Sequence, residues 1–63
     1  MKVSMSNRMH DLRYIVVEEM FCLWALFLEN VEAEGWTASN LEDAVNECHG
    51  DKEMLRRLAY QFV

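Results

Sequence analysis

The side chains able to do chemistry in this 63-residue chain are few: His10 beside Asp11, Cys48 beside His49 with Asp51 and Glu53 following, and methionines at Met1, Met5 and Met9. Neighbours on a helix point about 100° apart, so neither His10 with Asp11 nor Cys48 with His49 is preassembled as an acid–base or thiol–imidazole pair. The Cys48, His49, Asp51 and Glu53 spacing matches no zinc or calcium ligand pattern, and methionines at helical spacing are ordinarily packing filler. There is no glycine-rich phosphate loop, no H-E-x-x-H and no serine in an elbow context. The chain is expected to be no enzyme, with no catalytic residue, no cofactor and no metal.

Charge is the stronger signal. From Tyr14 to Asp51 there are nine carboxylates and not one Lys or Arg, while all six basic residues lie before Tyr14 or after Asp51. Glu29 with Glu32, and Asp43 with Glu47, stand three or four residues apart, which on a helix puts their Cβ atoms about 5–6 Å apart. That is comparable with the spacing of phosphates along a nucleic-acid strand. Glu29, Glu32, Glu34, Glu42, Asp43 and Glu47 are therefore the expected contacts to a basic protein partner, and a solubilising acidic face is the plainer reading of the same residues. With six Lys+Arg against eleven Asp+Glu, a formal net charge of −5, the chain is a poor binder of DNA or RNA itself. Arg56 and Arg57 cannot offset that surplus.

The elements that must position these groups read as helices. Residues 7–34 contain no Gly or Pro and end at Gly35, the residue best suited to the left-handed turn after a helix. One long helix is predicted there, with Ser4, Ser6 or Asn7 as its cap. The Tyr14-Ile15-Val16-Val17 stretch has strand character but no second strand-like segment to pair with. On the helical wheel Asp11, Glu18 and Glu29 share a narrow stripe, and Leu12, Val16, Met20, Leu23, Phe27 and Val31 form an apolar face. Val17, Phe21, Trp24 and Leu28 lie on its flank, making an arc wider than the ~100° one packing partner covers. These four are the expected interface of a homodimer.

Ser39-Asn40-Leu41-Glu42 reads as a capping box opening a second helix, with Ser39 at the N-cap and an apolar face of Leu41, Ala44, Val45 and Cys48. Gly50 ends it. Asp51 caps a third helix whose apolar positions are Met54, Leu55, Leu58, Ala59 and Phe62. Glu19 falls among Leu12, Leu23 and Leu26, where a lone carboxylate is costly, so Arg56 or Arg57 is expected to pair with it. Trp36 is expected to plug the end of the core at the corner after Gly35; if exposed beside Glu32, Glu34 and Glu42 it would anchor an interface.

Composition bounds the rest. Hydrophobic residues make up 52% of the chain and proline is absent, a balance that folds and is no disordered tail. At this length one domain, residues 1–63, is the ceiling. Two cysteines without C-x-x-C spacing point to a reducing, cytoplasmic setting. The longest apolar run, residues 20–28, is far short of the roughly 20 residues of a membrane span, and no secretory signal pattern is evident. The expectation is an all-α domain of three helices, one long and two short, with no membrane partner.

Residues 35–63 carry Gly35-Trp36, the helix through Leu41 and Cys48, then His49-Gly50-Asp51-Lys52-Glu53 and a leucine-rich last helix. This half of the chain resembles a ubiquitin-associated (UBA-like) three-helix domain, which implies an adaptor that binds through apolar surface near Trp36. In size, acidity and helicity the whole chain also resembles small phage-encoded inhibitors such as anti-CRISPR and anti-restriction proteins, some of which imitate DNA. That resemblance implies a non-enzymatic inhibitor whose acidic surface plugs a basic nucleic-acid channel in a host effector.

Overall fold

The β-branched run Ile15-Val16-Val17 is the weak point of the first helical stretch, since such side chains lose rotamer freedom against the preceding turn. The computed structural model, which describes residues 7–63, opens the helix at that point. α1 (Asn7–Tyr14) passes into a π turn (Ile15–Glu19), closed by the Met20 N–H donating to the Ile15 carbonyl at 3.0 Å. Phe21 then takes a left-handed φ of 57°, and the Cys22 N–H returns to the Val16 carbonyl at 3.0 Å. A non-glycine residue in that conformation costs about 1–2 kcal/mol. The break lets Phe27 and Val31 fold back onto the core that Leu12, Ile15 and Val16 already form, and each fully buried side chain of this size contributes about 1.5–3 kcal/mol. Burial wins over backbone strain.

The single long helix over residues 7–34 is thus corrected to two, α1 and α2 (Trp24–Ala33), and the chain has four α-helices among its described residues. The all-α class holds. Two consequences follow from the break. Asp11, Glu18 and Glu29 no longer share one stripe, and Leu23, assigned to the apolar face, is 73% exposed. The caps expected at Ser4, Ser6 and Asn7, and the thioethers of Met1 and Met5, lie outside the described side chains.

α2 ends where Gly35 predicts. The Gly35 N–H donates to the Glu32 carbonyl at 2.9 Å and the Trp36 N–H to the Val31 carbonyl at 3.2 Å, with Gly35 at φ 87°. This is a Schellman cap, and it sets Trp36 against Val31. α3 (Ala38–Glu47) starts one residue before the expected N-cap, Ser39. Thr37 is the N-cap: its Oγ1 accepts from the Asn40 N–H at 3.1 Å, while Asn40 Oδ1 accepts from the Thr37 N–H at 2.9 Å. Asn40 closes the reciprocal pair from the third helical position, which corrects the box assigned to Ser39 and Glu42. α3 is followed, after Cys48, by His49 and Gly50, both at positive φ, and Asp51 caps α4 (Lys52–Tyr60) by accepting from the Glu53 and Met54 N–H groups.

α1 packs against α3 and α4, the π turn against α2 and α4, and α3 against α4. The core collects Leu12, Ile15, Val16, Phe27, Val31, Leu41, Val45, Cys48, Leu55, Leu58, Ala59 and Phe62. Met54, expected on the apolar face of the last helix, is instead exposed. Asn30 donates through Nδ2 to the Phe62 carbonyl at 2.8 Å, which pins the end of the chain to α2. Phe62 then stands edge-on to both Phe27 and Trp36, with ring centroids 5.7 and 5.0 Å away. No helix among the described residues is long and apolar enough to cross a membrane.

Candidate functional site

The two tryptophans come from different elements and meet at one hollow. Trp24 opens α2 and stacks on Phe27, with centroids 5.4 Å apart and planes 12° from parallel. Trp36 follows the Schellman cap and is held by Phe62. Between them lies a hollow of about 220 Å³ lined by Trp24, Leu28, Val31, Trp36 and Leu41, with Met9, Glu32 and Ala38 also in its wall. Trp36 falls between the two alternatives: it is half-buried, packed edge-on to Phe62 at one end of the core, with part of its surface left open. On its other side, Glu34, Gly35 and Asn40 line a shallower polar recess.

The six candidate carboxylates divide into two groups. Glu29, Glu32 and Glu34 follow one another along the end of α2, and Glu42 stands one helical turn beyond Ala38, which also lines the tryptophan hollow. All four are exposed; Glu32 shares the tryptophan hollow with Trp36, and Glu34 shares the polar recess with it. Asp43 and Glu47 lie elsewhere on α3. They edge an open groove of about 450 Å³ between α3 and α4, together with Cys48, Met54, Arg57 and Leu58. They also border a recess with Arg8, Asn46 and His49, where Arg8 Nη1 donates to the Asn46 carbonyl at 3.3 Å. Arginines from both ends of the chain therefore stand beside Asp43 and Glu47, and the negative potential of that face is diluted.

Among the described residues the ion pairs lie on α4 and the π turn. Arg56 pairs with Glu19 at 2.8 Å and with Glu53 at 3.8 Å, and Arg57 pairs with Glu53 at 3.8 Å. The expected Glu19–Arg56 partnership is present, and the guanidinium hydrogen bond holds the Glu19 carboxyl below the ordinary glutamate range. Among the described residues none of Glu29, Glu32, Glu34, Glu42, Asp43 and Glu47 takes part in an ion pair.

The residues assigned to a dimer seam fall on both sides of the break, Val17 before it and Trp24 and Leu28 after it. Trp24 and Leu28 turn into the tryptophan hollow, Val17 is half-buried, and Phe21 is 88% exposed at the break. The wide arc that called for a second copy came from treating two helices as one.

His10 and His49 are exposed, and the Cys48 thiol is buried and donates to the Ala44 carbonyl at 3.4 Å. Burial, with Asp51 and Glu47 nearby, pushes that thiol up from the ordinary cysteine range, so little reactive thiolate forms. Among the described residues no three His, Cys, Asp or Glu side chains converge as a metal's ligands would.

Sequence reasoning singled out Trp36 and its acidic neighbours but missed Leu28, Val31, Ala38 and Leu41 as walls of the same hollow. The signal was present in Gly35: a Schellman cap brings the residue after glycine against the one five positions before it, here Trp36 against Val31. The chain matches no protein-family model, no curated protein and no solved structure.

Proposed function

We propose that this protein is a non-enzymatic inhibitor that works by occupancy, placing an acidic helical surface in the basic nucleic-acid-binding site of a protein partner, as anti-CRISPR and anti-restriction proteins of the DNA-mimicking kind do. The observation that carries the reading is the distribution of ion pairs. The arginines of α4 are engaged by Glu19 and Glu53, whereas Glu29, Glu32, Glu34 and Glu42 are exposed and, among the described residues, take part in no ion pair, with Glu32 and Glu34 beside Trp36. Unpaired carboxylates held on helices attract a cationic cleft and release its counterions on contact. Asp43 and Glu47 contribute less, because Arg8 and Arg57 border them.

The test is displacement of duplex DNA from a panel of CRISPR effector complexes and restriction enzymes, followed by gel shift at low and high salt. The wild-type protein should release DNA from at least one of them, and the effect should weaken steeply as salt rises. Glu29→Lys/Glu32→Lys should abolish displacement, while Asp11→Lys/Glu18→Lys, with the same change in net charge, should leave it nearly intact. Equal loss in both double variants would reduce the effect to net charge and sink the proposal.

A second reading, an adaptor of the UBA-like kind, is favoured by the apolar hollow beside Trp36. It expects binding that Trp36→Ala abolishes and that charge reversal and salt leave unchanged.

A further inference from the structure

We infer that the tryptophan hollow is an anchor slot for one apolar side chain, of leucine or methionine size, presented by a basic peptide segment of the partner with Lys or Arg on either side of it. The inference rests on the proposed acidic docking surface and names the element of the partner that it holds.

Size decides the class of occupant first. A volume of about 220 Å³ is below the roughly 300–1,000 Å³ of pockets that take cofactors and drug-sized ligands. It suits a single side chain. The lining is mostly apolar, with Met9, Leu28, Val31 and Leu41 beside the two tryptophans and Glu32 its one charged group, and aromatic walls of this kind are where interface energy concentrates. Rigidity supports the same use. Trp24 is stacked on Phe27, Trp36 is braced edge-on by Phe62, and Phe62 is tied to α2 through Asn30, so the slot is formed before anything enters it.

Charge decides what surrounds the anchor. Glu32 lines the slot, Glu29 lies one turn before it on α2, Glu34 shares a second recess with Trp36, and Glu42 is one turn beyond Ala38. None has an ion-pair partner among the described residues. A second copy of this chain would bring further carboxylates to that rim and be repelled. A segment with lysines or arginines beside its apolar residue matches the slot in both shape and sign.

Both tryptophans of the chain line the slot, so their fluorescence reads its occupancy directly. The probes are three blocked pentapeptides: a leucine flanked by two lysines on each side, the same peptide with a central alanine, and a leucine flanked by glutamates. At low salt the lysine–leucine peptide should shift tryptophan emission to the blue and bind roughly tenfold more tightly than the alanine peptide. The glutamate peptide should not bind. Ala38→Phe fills the slot from an exposed position without removing a core atom; its circular dichroism should match wild type, and it should bind the leucine and alanine peptides alike. Equal binding of the leucine and alanine peptides by the wild-type protein overturns the anchor slot while leaving the acidic docking surface standing. Absence of any lysine-dependent binding overturns both. Concentration-dependent self-association that buries the tryptophans, and that Ala38→Phe abolishes, overturns the slot in favour of a second copy.

Discussion

Arg56 on α4 grips Glu19 of the π turn with two hydrogen bonds, Nε to Oε1 at 2.8 Å and Nη2 to Oε2 at 3.3 Å. The residues are 37 positions apart, and the fork joins the last helix to the segment where the first helical stretch opens. Both side chains remain about one-third exposed, so solvent screens the pair and it acts on register more than on overall stability.

The pair sets a pH dependence. Because Arg56 lowers the Glu19 pKa in the folded state, the carboxylate contributes stability above the ordinary glutamate range, and that contribution is lost as pH falls through the lowered value. Glu19→Gln should lower the urea midpoint modestly at pH 7, and the gap to wild type should close as acid protonates Glu19. A gap that widens toward low pH would refute the assignment.

Phe21 is the strained residue of the fold, at φ 57° with its ring in solvent. Phe21→Gly relieves about 1–2 kcal/mol of left-handed strain and adds roughly 0.5–1 kcal/mol of unfolded-state entropy. The variant should be more stable than wild type by up to about 1 kcal/mol in equilibrium urea unfolding. A clear loss of stability would show that the Phe21 ring has a structural role that its exposure denies.

Thr37 and Ser39 offer a direct comparison of two capping assignments. Thr37→Ala removes the acceptor of the Asn40 N–H and should cost about 1 kcal/mol. Ser39→Ala, inside α3 and exposed, should change stability by no more than a few tenths of a kcal/mol and in the favourable direction. Thermal melts of the two variants read this difference, and a reversed order would return the cap to Ser39.

Much of the helical layout is legible in local residue chemistry. Gly35 at φ 87°, Gly50 at φ 80° and the Asp51 cap stand where turn and capping preferences put them, because these are decided within four or five residues. The same holds for the apolar face of α3 and for the exposure of Glu42, Asp43 and Glu47. The Glu19–Arg56 pair is anticipated on a premise the structure does not keep: Leu23 and Leu26, two of the apolar neighbours assigned to Glu19, are exposed, and the carboxylate reaches Arg56 from a partly exposed position.

What the sequence by itself determined, then, is the helical class, the later helix ends and the segregation of charge, all of them local or compositional properties. Tertiary structure alone decided the break between α1 and α2. No glycine or proline marks residues 20–23, and the left-handed Phe21 is unfavourable in isolation. Only the burial of Phe27 and Val31 against Leu12, Ile15 and Leu55 makes it the lower-energy path. The same long-range collapse left Phe21 in solvent while Trp24 and Leu28 line the slot, and it brought Arg8 and Arg57 to the recess and groove that Asp43 and Glu47 border.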